Sequence, residues 1–153
     1  MQKTIVAKEE NVFGRPFRAE MDAGCVHFCD VLNSLPGIRT FDSCSGHGKL
    51  NYYICFEAED EFALRSVVQF FDKVSPLKNR WCVKVESNDP PQSEDTYEQI
   101  FYVIFGPQNE KKACKDADFI ASFIEAFVEN GLDLPDPVIE EFLSKYPYYF
   151  KQD

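Results

Sequence analysis

Two stretches of this chain, Tyr52-Tyr53-Ile54-Cys55-Phe56 and Ile100-Phe101-Tyr102-Val103-Ile104-Phe105, are dense in aromatic and β-branched residues, and each is set in the same local grammar. That composition suits strands, and the second run, apolar on both faces, suits a central one. Ile38 to Asp42 reads as a short strand ahead of the first, across the segment Ser43–Gly48. Leu64, Val67, Val68 and Phe71 follow it at i, i+3, i+4 and i+7, the stripe of a helix, with Asp60 as its N-cap. Trp81 to Val85 alternates as a half-buried strand ahead of the second, across the polar, turn-rich segment Ser87–Asp95. Ile120, Phe123, Ile124, Phe127 and Val128 then line another helix, which Asn130-Gly131 would cap. Strand–loop–strand–helix thus occurs twice, at 37–74 and 81–131, with negligible identity between the halves. The pattern predicts an α+β fold: a mixed or antiparallel sheet with three or four helices packed on it.

The remaining segments extend that unit rather than adding another. Met21, Cys25, Phe28, Cys29 and Leu32 recur at helical spacing between Glu20 and Leu32, and Pro36-Gly37 ends the helix. Residues 1–18 read as an irregular N-terminal arm, with Thr4–Ala7 as a short edge strand and Gly14 and Pro16 as breakers. At the other end, 132–153, a helix is expected from Asp136-Pro137, with Pro at its first position and Val138, Ile139, Phe142 and Leu143 on its apolar side. The aromatic tail Tyr146–Phe150 is expected to fold back on the core, since exposed aromatic clusters are costly in a monomer. A chain of 153 residues is the size of one domain, and fifteen Phe with seven Tyr supply a packed interior.

No apolar run is long enough to span a membrane, and no cleavable leader is legible, so a cytoplasmic protein is expected. Six cysteines without a C-x-x-C pair then read as reduced thiols, mostly in the core. The net charge of −10 is unevenly placed. Residues 1–85 carry eleven basic and eleven acidic side chains, whereas Asp116–Asp153 carry nine acids and two bases. Net acidity disfavours nucleic acid. It leaves open a basic protein partner for the acidic C-terminal half, the role of an inhibitor or adaptor.

Chemistry concentrates in Ser43-Cys44-Ser45-Gly46-His47-Gly48: a thiol, an imidazole, two hydroxyls and two glycines within six residues. Three uses are open. Cys44 with His47 three residues on could be an activated nucleophile. The same pair could ligate a metal, with Cys25, His27 and Cys29 as further donors, but Cys25 and Cys29 share a helix face that His27 leaves, and four converging ligands are not evident, so no metal is expected. The reading ranked first is a small-molecule, nucleotide or anion loop. Here successive N–H groups, Ser43 and Ser45 form a nest flanked by Arg39 and Lys49. Asp42 could orient His47 or cap the turn. Polar turns of this kind also occur with no ligand, and the residues do not decide between binding and catalysis.

The run from Leu32 through Pro36-Gly37-Ile38-Arg39-Thr40 to Ser43-Cys44-Ser45-Gly46-His47 resembles the signature of the wybutosine tRNA-modification methyltransferase-like family, in which a helix ending in an Ile/Leu-Asn pair leads through a Pro-containing break to a Ser-Cys-Ser-Gly-Arg loop. It is also similar to a set of bacterial and phage proteins with Leu-Pro-Gly-Ile ahead of a Cys-x-Gly-His-Gly loop. The likeness covers about residues 30–56. It implies an α+β fold of two related halves, S-adenosylmethionine as cofactor and RNA as substrate. His47 stands where that family has Arg, and the chain is acidic, so the implied fold transfers more readily than the implied substrate. For a transferase, His47 would be the general base and Cys44 a ligand-contacting thiol.

Overall fold

The computed structural model describes residues 3–8, 17–72, 77, 79–87 and 100–150. Strands β1 (Lys3–Lys8) and β2 (Phe17–Asp22) form an antiparallel hairpin, with Lys3 opposite Asp22. Strand β2 runs directly into helix α1 (Ala23–Ser34). Then follow β3 (Ile38–Cys44), β4 (Tyr53–Ala58), α2 (Glu61–Asp72), β5 (Cys82–Ser87), β6 (Ile100–Phe105), α3 (Glu110–Glu129), α4 (Asp136–Lys145) and a short 3-10 turn (Pro147–Phe150). The four later strands make one antiparallel sheet in the order β3-β4-β6-β5, with the helices packed against it. The chain is an α+β single domain.

The doubled pattern is realised as two strand–strand–helix units whose second strands, β4 and β6, pair at the centre of the sheet. Alternation sorts their side chains. Ile54, Phe56 and Ile104 point into the main core against the helices, while Cys55 and Val103 are buried on the opposite face, where Phe41 and Phe101 meet edge-on at 5.4 Å. That division explains why the central strands read as apolar throughout. Strand β5, at the edge, is exposed except for half-buried Val83, and Trp81 is buried just before it begins.

In α2, Asp60 caps by accepting from Ala63 N–H at 2.8 Å. Its buried side is Ala63, Val67, Phe70 and Phe71, so the expected stripe is shifted toward Phe70. Helix α3 closes at Asn130, with Gly131 at φ +70°, as Asn-Gly predicts. Phe28, Tyr52, Phe71 and Trp81 pack as a ring cluster with centroids 5.3–6.5 Å apart. The tail does fold back: Tyr149 lies flat on Phe119, centroids 3.9 Å apart, and its hydroxyl donates to Asp116.

The N-terminal reading needs two corrections. The edge strand expected at Thr4–Ala7 is present as β1, but it pairs with a second strand, β2, that was not expected and that runs past the arm to Asp22; Gly14 and Pro16 lie outside the described residues. Helix α1 starts at Ala23 rather than near Glu20, because Phe17–Asp22 is extended and paired to β1. Most of the polar segment after β5 also lies outside the described residues.

Candidate functional site

Cys44 is the last residue of β3, opposite Tyr53, so Ser43 and Cys44 belong to the strand and the turn begins at Ser45. The turn reverses through three successive positive-φ residues, Gly46 (+84°), His47 (+52°) and Gly48 (+77°). The Gly46 carbonyl accepts from Lys49 and Leu50 N–H, both at 2.9 Å, and a Cβ at position 46 would collide with the Leu50 carbonyl oxygen. His47 has a Cβ in the left-handed region, a conformation that costs about 1–2 kcal/mol and is kept where surroundings or function demand it.

Those surroundings are two carboxylates from distant parts of the chain. Asp22, closing β2 at the N-cap position of α1, makes no cap bond there. Its buried Oδ2 instead accepts from Ser45 N–H at 2.8 Å and lies 3.1 Å from Ser45 Oγ and 3.3 Å from His47 Nε2. Glu110, the first residue of α3, brings Oε2 to 3.1 Å from Ser45 Oγ and 3.8 Å from His47 Nδ1. Glu110 is placed by its neighbour Asn109, whose side chain caps the helix by accepting from Lys112 N–H. Gly46 N–H donates to Cys44 Sγ at 3.3 Å. Asn51 bonds the Gly106 carbonyl and Gln108 the Lys49 carbonyl, tying the turn to the β6–α3 junction. Burial raises the Asp22 pKa, but the hydrogen bonds from Ser45, backbone and side chain, with the His47 charge, outweigh it and hold the carboxyl below its ordinary value.

The structure brings Cys44, Ser45 and His47 together, with Gly46 and Gly48 shaping the turn. Asp22 Oδ, Cys44 Sγ and a His47 ring nitrogen all lie within 4.8 Å of one another. The other candidates stand apart. Asp42 is exposed and accepts from Ser43 N–H at 2.9 Å and from Tyr53 OH at 3.4 Å, so the acid beside His47 is Asp22 and not Asp42. Arg39 is exposed near the start of β3, opposite Glu57, with its guanidinium on the Ile38 carbonyl. Five residues of strand put it about 16 Å along from Cys44. Lys49 is exposed on the turn. Cys25 and Cys29 are core residues, and burial pushes the Cys25 thiol up to about 12. His27 faces Glu125 (2.8 Å) and Asp118 (3.5 Å) on α3, away from the thiols.

This geometry argues against the anion nest. Ser45, Gly46, Lys49 and Leu50 N–H groups donate within the turn and to Asp22. Two carboxylates, not two cations, flank it. Asp22 and Glu110 were not singled out from the sequence. Asp ahead of a helix and Glu after Asn109 signal helix starts, and nothing at positions 23 and 65 residues from Ser45 links them to it. An apolar groove of about 760 Å³ between α2, α3 and α4, lined by Phe62, Phe127 and Leu134 among others, includes no residue of the turn.

No protein-family model matches the chain, and neither the curated proteins nor the solved structures give a match. Among the described residues no helix is long and apolar enough to cross a membrane.

Proposed function

We propose that the protein binds a small molecule carrying a positive group at the Ser43–Gly48 segment and acts on it by proton transfer, with S-adenosylmethionine-dependent transfer as the form suggested by the motif resemblance. The observation that carries the reading is the His47–Asp22 pair. The ring is 44% exposed, yet its Nε2 lies 3.3 Å from a carboxylate that is 5% exposed. An imidazole open to solvent on one side and oriented by a buried acid on the other is suited to acid–base work. The Asp22 and Glu110 carboxylates favour a positively charged ligand group, and the sulfonium of S-adenosylmethionine is one. In a methyl transfer His47 would take the acceptor's proton as the acceptor attacks the sulfonium methyl, the S–CH₃ bond breaks and the neutral thioether, S-adenosylhomocysteine, leaves with the electron pair. Isothermal titration with S-adenosylmethionine tests this. His47→Ala and Cys44→Ala are expected to weaken binding at least tenfold, and unchanged binding in both overturns the reading.

A second reading, a non-catalytic acidic protein that binds a basic partner, draws support from α4. None of its residues is buried, and Asp136, Glu140 and Glu141 are exposed. Deleting the C-terminal segment would be a poor test, because it also removes Tyr149 from the core. Charge reversal, Glu140→Lys with Glu141→Lys, should abolish salt-sensitive capture of a basic partner while the fold persists. Salt-insensitive capture counts against it.

A further inference from the structure

We propose that Asp22, Cys44 and His47 are the ligands of a divalent transition-metal ion of the zinc class, with Glu110 orienting the imidazole. Among the described residues these three form a cluster of one carboxylate, one thiol and one imidazole with ligand atoms mutually within 4.8 Å. That donor set, borderline between hard and soft, selects zinc-like ions over magnesium or calcium, and three protein ligands with a fourth position open is the pattern of reactive rather than structural zinc.

The distances suit such an ion. Oxygen and nitrogen ligands each about 2.0–2.1 Å from a tetrahedral centre lie about 3.4 Å from one another. Asp22 Oδ2 and His47 Nε2 are 3.3 Å apart. Supporting groups lie close by. Metal-bound histidine usually gives its other ring N–H to a carboxylate; Glu110 Oε2, 3.8 Å from His47 Nδ1, is beyond hydrogen-bond distance here and would have to close on the ring to take that role. Gly46 N–H donates to Cys44 Sγ, which holds the sulfur at the turn. Ser45 Oγ lies 3.1 Å from both Asp22 Oδ2 and Glu110 Oε2 but carries one proton. Asp22 also takes a hydrogen bond from the Cys44 side chain, and the ion would replace that proton between sulfur and carboxylate. A thiolate, a carboxylate and a neutral imidazole then balance a 2+ ion. Binding displaces the thiol proton to solvent, with no change of oxidation state.

The same turn carries the ligand reading above, but the tests separate. The reduced, chelator-treated full-length protein is titrated with Co²⁺, followed by absorption and equilibrium dialysis. The expected result is one Co²⁺ per chain with a thiolate-to-cobalt charge-transfer band. Cys44→Ser and His47→Gln, checked for folding by circular dichroism, should weaken binding at least tenfold, while Cys82→Ser, which removes an exposed thiol elsewhere, should leave it unchanged. Failure to retain Co²⁺, or the same spectrum and affinity in Cys44→Ser, overturns the metal. S-adenosylmethionine binding by metal-free protein would then leave the ligand reading standing, whereas metal binding without it would overturn that reading alone.

Discussion

Asp116→Asn tests how far one buried carboxylate holds the C-terminal half together. Asp116 is 1% exposed and accepts four hydrogen bonds. Oδ2 takes Arg80 Nε at 3.0 Å and Trp81 Nε1 at 2.9 Å, while Oδ1 takes Arg80 Nη2 at 2.9 Å and Tyr149 OH at 2.8 Å. In asparagine one oxygen becomes an NH₂. Facing Nε and the indole N–H, it meets two donors that cannot turn to accept. Facing Nη2 and the Tyr149 hydroxyl, it lets the hydroxyl rotate but still opposes the guanidinium. Either way a hydrogen bond to Arg80 is lost and its charge is left unbalanced. Removing one member of a buried pair costs about 3–5 kcal/mol. The Arg80 side chain keeps 17% exposure, so water recovers part of that and the lower end, about 3 kcal/mol, is expected. For a domain of this size that lowers Tm by about 6–12 °C. Urea unfolding followed by the fluorescence of Trp81, the one tryptophan, measures it. Tyr149→Phe, which removes a single neutral donor, should cost about 1 kcal/mol. Asp116→Asn within about 1 kcal/mol of wild type, or Tyr149→Phe costing more than it, would refute the reasoning.

Gly46→Ala and Gly48→Ala share a left-handed backbone but differ in space, since nothing lies within 4 Å of a Cβ at 48. Gly48→Ala should cost about 1 kcal/mol and Gly46→Ala at least twice that; equal urea midpoints would show that the Leu50 carbonyl yields. The hydrogen bond to Glu125 is the main cause that raises the His27 pKa. Its contribution is therefore complete below about pH 6.5 and lost as pH rises through the higher folded value, so His27→Gln should destabilise more at pH 5.5 than at pH 8.5. An equal effect at both would exclude a titrating clamp. Asp22 has the opposite sign. Its lowered pKa gives stability present above about pH 4 and lost as pH falls through the folded value, so Asp22→Asn should flatten the acid limb of the stability curve. An acid limb as steep as that of wild type would sink the assignment.

The sheet was legible because its central strands are bounded by turn residues and followed by helical stripes, and both are local signals. Pro36-Gly37, Asp60 and Asn130-Gly131 mark boundaries that the structure keeps, with Gly37 and Gly131 at positive φ. The strand expected at Thr4–Ala7 is β1, but its partner β2 was missed because pairing outranked the apparent helical spacing that begins at Met21, and a strand's partner is not a local property. At the site, the hexapeptide offered Cys44, Ser45 and His47 as candidates and left open whether Cys44 and His47 touch; the structure puts their ligand atoms within 4.8 Å. The same run misled on the flanking charge. Arg39 is near in sequence but strand geometry carries it away along β3, whereas Asp22 and Glu110 are remote in sequence and adjacent in space.

That exchange of neighbours reverses the electrostatics of the site. A Ser/Gly turn flanked by Arg and Lys would present N–H groups and cations to an anion. Here the N–H groups of Ser45 and Gly46 are spent on Asp22 and Cys44, and the groups facing His47 are carboxylates. The three contributors come from separate units: Asp22 from the hairpin–α1 junction, the turn from the first strand–strand–helix unit, Glu110 from the helix of the second. Neither unit alone holds both carboxylates against the turn. The site is thus a property of the assembled domain, which sets two carboxylates from distant parts of the chain against one imidazole at the turn.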